Sequence, residues 1–286
     1  MNLALGTVQF GLPYGIANST GKVGMKEAAT MLETALESNI HLLDTAIGYG
    51  DSESCLGEIG IAGFRVVTKL PEVPVKNSNV AGWVQNQVED SLSRLRIDSL
   101  YGLLLHKPMQ LLDMNGSKIY ETLDSLKNQG LIQKLGVSVY SPDEVKKLNS
   151  DYSFDIVQSP FNIIDRRFQT SGCFSALSQS NVEVHVRSAF LQGLLLMPGS
   201  ELPAYFDIWK RRFSVWHNWL DTTSLSALTA CIAFIKSHLD IGYLVVGADS
   251  NLQLKEIITA FVDEITENFP DISSDDEAFV NPVNWQ

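Results

Sequence analysis

The chain has 286 residues, of which 45% are hydrophobic, so it can bury one large core and fits a single barrel-sized domain. Its formal net charge of −12 opposes binding to nucleic-acid phosphates or to an anionic membrane surface, and we expect neither partner. No apolar stretch reaches the ~20 residues of a membrane span, and the first residues lack the basic and apolar regions of a signal peptide. We therefore expect a cytoplasmic protein.

Three cysteines occur in the chain, too few and too scattered for a disulfide framework or a CxxC metal site. Cys55, Cys173 and Cys231 are each expected to be a buried or half-buried thiol. The sequence predicts no metal site.

Short apolar runs alternate along the chain with longer segments of helical spacing. Eight of the runs predict strands, at residues 3–8, 41–45, 65–69, 100–106, 134–139, 156–158, 183–187 and 243–246. Helical spacing is clearest in residues 26–37, 80–95, 119–128 and 225–237, which predict helices. The alternation indicates parallel strands joined by right-handed crossovers.

Eight β/α units in fewer than 300 residues favour a closed (β/α)8 TIM barrel, because a closed sheet has no exposed edge. The alternative is a doubly wound open sheet. It is less favoured because the turn after the first strand, residues 6–11, lacks the GxGxxG pattern of dinucleotide-binding sheets. We expect one domain over residues 1–286, ending in an acidic, solvated tail from about residue 271.

One long segment, residues 191–224, separates the seventh strand from the helix that follows it. It contains Trp209, Trp216 and Trp219, and this aromatic content argues against disorder. Long connections in compact domains are usually functional. We expect this one to lie over the C-terminal mouth of the barrel, where active sites of this fold are found.

Three successive strands end on an ionisable residue: Asp44, Lys69 and His106. In a barrel of parallel strands these three side chains meet at one mouth. A lone buried charge costs several kcal/mol, so pairing of Asp44 with Lys69 would offset much of that penalty. The residues alone leave open whether this pair is catalytic or only structural.

The turn after the second strand places Tyr49 between two glycines, directly above that pair. Residues 43–50, together with the Ser-Glu at 52–53 and the Leu-Gly at 56–57, closely resemble the signature of the aldo-keto reductases. The strand-three ending at Lys69 and the strand-four ending at His106 are similar to the catalytic lysine and histidine of that family. The resemblance runs from residue 5 to about residue 256.

The resemblance implies an NAD(P)H-dependent reductase with Asp44, Tyr49, Lys69 and His106 as its catalytic group. Hydride addition to a carbonyl leaves an alkoxide that needs a proton, and a phenol is a weak acid unless a nearby cation stabilises the phenolate. Lys69 would be that cation, held in place by Asp44. His106 would either orient the substrate carbonyl through a hydrogen bond or, partly protonated, share the proton relay.

The resemblance also implies contacts with the nicotinamide half of the cofactor. Ser138, Gln158 and Asn162 would hydrogen-bond the carboxamide, although ordinary polar filling of the barrel mouth is the alternative for Ser138 and Gln158. Val139 departs from the asparagine of many relatives. Arg187 stands where many relatives stack an aromatic ring on the nicotinamide, and a guanidinium can also stack.

Residues 245–256 resemble the family's segment for the adenosine half, which implies cofactor contacts at the four positions Gly247, Ala248, Ser250 and Gln253. Relatives that bind the 2′-phosphate of NADP commonly carry lysine or arginine here. In this chain Asp249 would repel a phosphate if it faces the site, while Ser250 and the helix start after it would accept one. NADP(H) is favoured because it predominates in the family, and NAD(H) is the alternative.

The expected activity is reduction of a small aldehyde or ketone to an alcohol. The opening residues 6–18 resemble a bacterial branch associated with carbohydrate metabolism, which suggests a sugar or sugar derivative as substrate. Two other functions stay open: a redox-sensing or regulatory subunit that binds cofactor but turns over slowly, and a barrel isomerase without cofactor.

Overall fold

The computed structural model describes residues 1–18, 21–265 and 267–285, and within them the chain forms a closed barrel of eight parallel strands. The strands are β1 (Asn2–Gly6), β2 (Leu42–Asp44), β3 (Arg65–Leu70), β4 (Leu100–Leu105), β5 (Ile132–Ser138), β6 (Ile156–Pro160), β7 (Glu183–Arg187) and β8 (Tyr243–Gly247). They follow one another in chain order, and β8 pairs with β1. The predicted (β/α)8 barrel is confirmed, and every predicted strand boundary lies within two residues of the observed one.

Helices cover the outside of the barrel between consecutive strands. The α-helices are α1 (Val8–Gly11), α2 (Met25–Glu37), α3 (Ser52–Ile59), α4 (Val80–Leu95), α5 (Gly116–Asn128), α6 (Pro142–Leu148), α7 (Arg167–Thr170), α8 (Cys173–Gln179), α9 (Lys210–Thr223), α10 (Ala227–Lys236), α11 (Asn251–Val262) and α12 (Glu277–Val280). Short 3-10 helices lie at Pro108–Leu112, Leu191–Leu196, Gly199–Glu201, Ala204–Trp209 and Pro282–Asn284. Side-chain caps fix several starts, since Asn79, Ser226 and Ser250 accept hydrogen bonds from the first turns of α4, α10 and α11.

The strand register brings the predicted site residues to one end of the barrel. Gly6 pairs with both Asp44 and Gly247, which aligns the C-terminal ends of β1, β2 and β8. The interior below them is filled mainly by apolar side chains, at Ala4, Leu42, Val67, Leu104, Ile156 and Val245. Strands buried on both faces read as continuous apolar runs, which explains why the sequence predicts them well.

The opposite end of the barrel is closed by a polar network. Lys134 Nζ lies 2.6 Å from Glu183 Oε2 and 2.7 Å from the Tyr101 hydroxyl, and His185 contacts the same carboxylate at 2.6 Å. The ionisable residues at the strand C-termini therefore face a separate mouth.

The long connection after β7 is folded rather than irregular. It forms three of the 3-10 helices and α9, and Trp216 within α9 is fully buried with its indole N–H donating to the Leu195 carbonyl at 3.1 Å. Only its first part, including Gln192 and Leu196, lines the cleft at the barrel mouth. Trp209 and Trp216 are buried, Trp219 is half-buried, and none of the three lines the cleft, so the expected position over the barrel mouth holds only for the first part of the segment.

The acidic C-terminal segment also differs from the expected solvated tail. Ile272, Phe279 and Val280 are buried, and the Phe279 ring stacks on Trp209 with centroids 4.6 Å apart. Arg167 joins the segment to the barrel by pairing with both Asp165 and Glu277. Apolar residues spaced among the carboxylates therefore dock this segment on the connection after β7.

The structure also describes the cysteines, the length of the apolar helices and the grouping of residues able to bind a metal ion. Cys55 and Cys231 are buried, Cys173 is half-buried, and all three are free thiols, as predicted. Within residues 1–18, 21–265 and 267–285 no helix is long and apolar enough to cross a bilayer. Across the same residues no group of three or more His, Cys, Asp or Glu side chains is arranged to hold a metal ion.

Candidate active site

A cleft with a volume of about 520 Å³ opens at the C-terminal ends of β7, β8, β1 and β2. Asp44 and Tyr49 line one end of it, which we call the catalytic end. The other end, the far end, is bounded by the loop after β8 and by the first turns of α10 and α11. Of the predicted cofactor contacts, Arg187, Gly247 and Gln253 line this cleft.

A buried ion pair supports the catalytic end. Lys69 Nζ donates to Asp44 Oδ1 at 2.6 Å and to the Thr45 carbonyl at 2.9 Å, with side-chain exposures of only 1% for Lys69 and 6% for Asp44. Burial lowers the pKa of Lys69, but the Asp44 carboxylate and the Tyr49 hydroxyl raise that pKa by more. Lys69 is therefore a charged ammonium held at a fixed place.

Tyr49 lies in the turn between β2 and α3, against this ammonium. Lys69 Nζ is 5.0 Å from the centroid of the Tyr49 ring. The turn is pinned by backbone packing, because a Cβ at Gly11 would lie 1.8 Å from the Tyr49 carbonyl oxygen, and one at Gly50 would lie 2.6 Å from the Gly11 carbonyl oxygen. Gly50 also has φ +57°, a conformation that favours glycine. The glycines thus fix where the phenol stands.

His106 follows β4 and completes the group. Its backbone N–H donates to the Leu70 carbonyl at 2.9 Å, and its ring meets the Tyr49 ring edge-on with centroids 5.8 Å apart. Burial, followed by the charges of Lys69 and Arg187, lowers the pKa of His106 from 6.5 to about 4. The imidazole is therefore neutral at physiological pH.

The low pKa of His106 predicts a specific titration. The folded protein should hold the imidazole neutral until the pH falls to about 4, so its ring C–H resonance should shift near that pH and not near 6.5. The unfolded chain takes up this proton near 6.5, so acid should lower stability progressively between those two pH values. Histidine NMR from pH 7 downward measures this. A midpoint near 6.5 for His106 would contradict the geometry.

Two predicted nicotinamide contacts lie beneath the cleft instead of lining it. Gln158 Nε2 donates to Asp44 Oδ2 at 2.6 Å, and Ser138 Oγ donates to Gln158 Oε1 at 3.5 Å. Both residues are fully or almost fully buried. In this arrangement Gln158 satisfies the second carboxylate oxygen of Asp44, and Ser138 supports Gln158.

Asn162 organises the loop after β6. Its Oδ1 accepts from the backbone N–H groups of Ile164 and Asp165, both at 2.9 Å, and its Nδ2 donates to the Ser188 carbonyl at 3.0 Å. The side chain is fully buried and does not line the cleft. The polar atoms of the Asn162 side chain are therefore occupied by backbone groups, one of them in the cleft-lining residue Ser188.

Arg187 does line the cleft. Its guanidinium lies 4.4 Å from the centroid of the Tyr140 ring and donates to the Val139 carbonyl at 3.2 Å. Val139, which lacks the amide of many relatives, thus contributes a backbone acceptor that orients Arg187.

The remaining predicted contacts lie in the loop after β8 and at the start of α11, and only some of them line the cleft. Ala248 is buried, and the Ser250 hydroxyl caps α11 by accepting from the Gln253 N–H at 3.2 Å. At Gly247 a Cβ would lie 2.5 Å from Gln9 Nε2, so a larger residue there would displace the amide end of the Gln9 side chain. Gly247 and Gln253 are therefore the members of this predicted set that reach the cleft.

Gln9 is a site residue that the sequence interpretation missed. It lines the cleft, is 7% exposed, and its buried Oε1 has no hydrogen-bond partner among the described residues. A buried acceptor without a partner is costly and is typical of a position that a ligand satisfies. The available signal was a glutamine between two apolar residues, Val8 and Phe10, directly after the first strand.

Comparison with known proteins agrees with this fold and site. Residues 2–272 match the model described as the Aldo/keto reductase family, and the chain belongs to that family. The resemblance seen in the sequence is thereby confirmed.

The sequence identity between this chain and individual relatives is low. The chain is 31% identical to a 6-dehydroglucose reductase of Novosphingobium aromaticivorans over 43% of this chain and 45% of that protein. It is 25% identical to the aldo-keto reductase YhdN of Bacillus subtilis over 53% and 48% of the two chains. The match therefore spans about half the length of these curated relatives. The solved structure of aldo-keto reductase AKR11C1 from Bacillus halodurans has a similar fold, with a TM-score of 0.74 and 21% identity over 93% of this chain and 88% of that one.

Proposed function

We propose that the chain is a nicotinamide-dependent oxidoreductase that reduces an aldehyde or ketone to an alcohol by hydride transfer. The observation that carries this proposal is the position of Tyr49, in the cleft and against a buried, charged Lys69. Membership of the aldo/keto reductase family supports the reaction class.

The roles of three residues follow from their geometry. When bound, a reduced nicotinamide supplies the hydride that adds to the carbonyl carbon. Tyr49 gives its hydroxyl proton to the resulting alkoxide oxygen and becomes a phenolate. The Lys69 ammonium stabilises that phenolate, and Asp44 keeps the ammonium charged and oriented. Solvent returns the proton to Tyr49 after the alcohol leaves.

His106 orients the substrate in this proposal. A neutral imidazole carries one N–H, which donates to the substrate carbonyl oxygen and polarises it. With its pKa lowered to about 4, the protonated form is scarce at neutral pH. The hydrogen-bonding role is therefore favoured over a share in the proton relay.

The residues of the cleft fit the parts of a nicotinamide dinucleotide that NADP(H) and NAD(H) have in common. Gln9 offers a buried acceptor to an amide or hydroxyl donor of the ligand, and the bare backbone of Gly247 allows close approach. We propose Gln9, Arg187, Gly247 and Gln253 as cofactor contacts. The corresponding roles of the other predicted residues stay predictions: Ser138, Gln158, Asn162, Ala248 and Ser250.

The substrate proposed is a small carbonyl compound of the sugar class. Tyr14, Ser188 and Gln192 line the cleft and present groups able to hydrogen-bond sugar hydroxyls. The printed name of one relative, 6-dehydroglucose reductase, refers to an oxidised sugar and agrees with this class.

A panel of simple aldehydes, ketones and oxidised sugars tests the proposal, with oxidation of NADH and NADPH as the readout. We expect carbonyl-dependent oxidation, fastest with oxidised sugars. Tight dinucleotide binding without turnover on any carbonyl would favour the regulatory alternative. An absence of dinucleotide binding would contradict the proposal and favour a barrel isomerase.

A further inference from the structure

The charges along the cleft differ between its two ends. The catalytic end holds the neutralised pair of Asp44 and Lys69, with Arg187 nearby as a cation. The far end is bordered by polar and apolar residues and by two carboxylates, Asp249 and Glu256. Of the lysines and arginines that the structure describes, Arg187 alone lines the cleft, while Lys255 of α11 lies in an adjoining depression that shares Ser226, Leu228 and Glu256 with the far end.

A dinucleotide whose nicotinamide lay beside Tyr49 would place its adenosine half along the cleft, toward the far end. The ribose of that half carries a free 2′-hydroxyl in NAD(H) and a 2′-phosphate in NADP(H). The charge of the far end therefore bears on which of the two cofactors the cleft would accept.

Asp249 is held in place at the far end. Its Oδ1 accepts from Asn18 Nδ2 at 2.9 Å, and its backbone N–H donates to Gln253 Oε1 at 2.8 Å. Asn18 is itself anchored, because its Oδ1 accepts from the Gly21 N–H at 2.8 Å. A fixed carboxylate can accept hydrogen bonds from ribose hydroxyls, but it repels a phosphate.

Two N–H groups in the first turn of α11 already donate to protein side chains. A helix N-terminus binds phosphate through its free N–H groups. Here the Asn251 N–H donates to Glu27 Oε1 at 2.7 Å, and the Gln253 N–H donates to Ser250 Oγ at 3.2 Å. Glu27, from α2, thus places a third carboxylate where a phosphate would otherwise be attracted.

We propose that this cleft selects NAD(H) over NADP(H), through the carboxylates of Asp249 and Glu256 at its far end and of Glu27 at the start of α11. The inference rests on the proposed nicotinamide-dependent function. It departs from the NADP(H) preference expected from family precedent, because the local charges oppose a 2′-phosphate.

The test is direct measurement of dissociation constants for NADH and NADPH by nicotinamide fluorescence, at low and moderate salt. Two unit charges about 8 Å apart at an effective dielectric near 20 change binding by roughly thirtyfold before salt screening, so we expect NADH to bind at least about tenfold more tightly. The double variant Asp249→Asn/Glu256→Gln should tighten NADPH binding by about tenfold, and Glu27→Gln should tighten it further. Each replacement is isosteric, and thermal melting checks that the fold is kept.

The matched control is Glu89→Gln/Asp90→Asn, which removes the same two charges from the exposed face of α4. It should leave both dissociation constants unchanged. Displacement of bound NADH by adenosine 5′-phosphate is compared with displacement by adenosine 2′,5′-bisphosphate. Because neither probe reaches the catalytic end, a difference between their affinities assigns the charge effect to the far end.

Wild-type binding of NADPH as tight as that of NADH, or a double variant with unchanged NADPH affinity, would overturn the inference but leave the proposed reductase intact. Failure of wild type to bind either dinucleotide would overturn the proposed function as well.

Discussion

Replacing Tyr49 with phenylalanine should lower kcat by at least the ~100-fold typical of losing a general acid. The phenyl ring keeps the edge-on contact with His106 and the position over Lys69, so the fold and the dinucleotide affinity should not change. Steady-state kinetics and a dinucleotide titration on the same preparation measure the two effects separately.

Tyr120→Phe is the matched control for this change. Its hydroxyl donates to the Ser153 carbonyl at 2.8 Å, on α5 and away from the cleft. The control should keep wild-type kcat. Equal kcat in wild type and Tyr49→Phe would remove Tyr49 from the proposed chemistry.

Lys69→Met should lower both activity and stability. Without the ammonium the Tyr49 phenolate loses its stabilising cation, so kcat should again fall by about 100-fold or more. The change also leaves the Asp44 carboxylate buried without a charge partner, and breaking a buried pair costs about 3–5 kcal/mol. Chemical denaturation and kinetics measure the two losses.

A second variant separates these effects. Asp44→Asn/Lys69→Met removes both charges and should recover much of the stability but none of the activity. Lys127→Met is the control, because Lys127 and Asp155 form a partly exposed pair, and such pairs contribute about 0–1 kcal/mol. Full activity in the double variant would show that the pair is only structural.

Much of the fold is predictable because its strands are buried on both faces. The run Leu100–Leu105 is buried at every position, and its apolar sequence predicts a strand without knowledge of the neighbouring strands. The clustering of Asp44, Lys69 and His106 at one mouth was predictable for a related reason: each lies at the end of such a run, and parallel strands bring their ends together.

The side-chain partners were less predictable because they come from distant parts of the chain. Gln158 donates to Asp44 across 114 residues of sequence, and Asn18 reaches Asp249 across 231. Local spacing carries no information on such pairs. Glu27 illustrates the same limit. A glutamate in the first turn of a helix is ordinarily explained by the helix dipole, so the sequence does not indicate that Glu27 accepts a hydrogen bond from the Asn251 N–H of α11.

The C-terminal segment shows how charge can hide a core element. Four carboxylates occur in residues 271–277, and their density predicts a solvated tail. Ile272 and Phe279 are nevertheless buried, and Phe279 stacks on Trp209 of the connection after β7, a partner that no local pattern identifies. Burial of these side chains outweighs the local charge repulsion because the carboxylates point outward or pair with arginine.

In the proposed reaction, a reduced dinucleotide transfers a hydride to a carbonyl carbon at the catalytic end of the cleft, and Tyr49 donates a proton to the resulting alkoxide. The most direct measurement follows deuterium from a reduced dinucleotide labelled at the reactive nicotinamide carbon, using the best aldehyde of the substrate panel. We predict one deuterium on the carbinol carbon of the alcohol with wild type, and almost none over the same time with Tyr49→Phe. An unlabelled alcohol from wild type, or equal labelling by both proteins, would contradict the proposed mechanism.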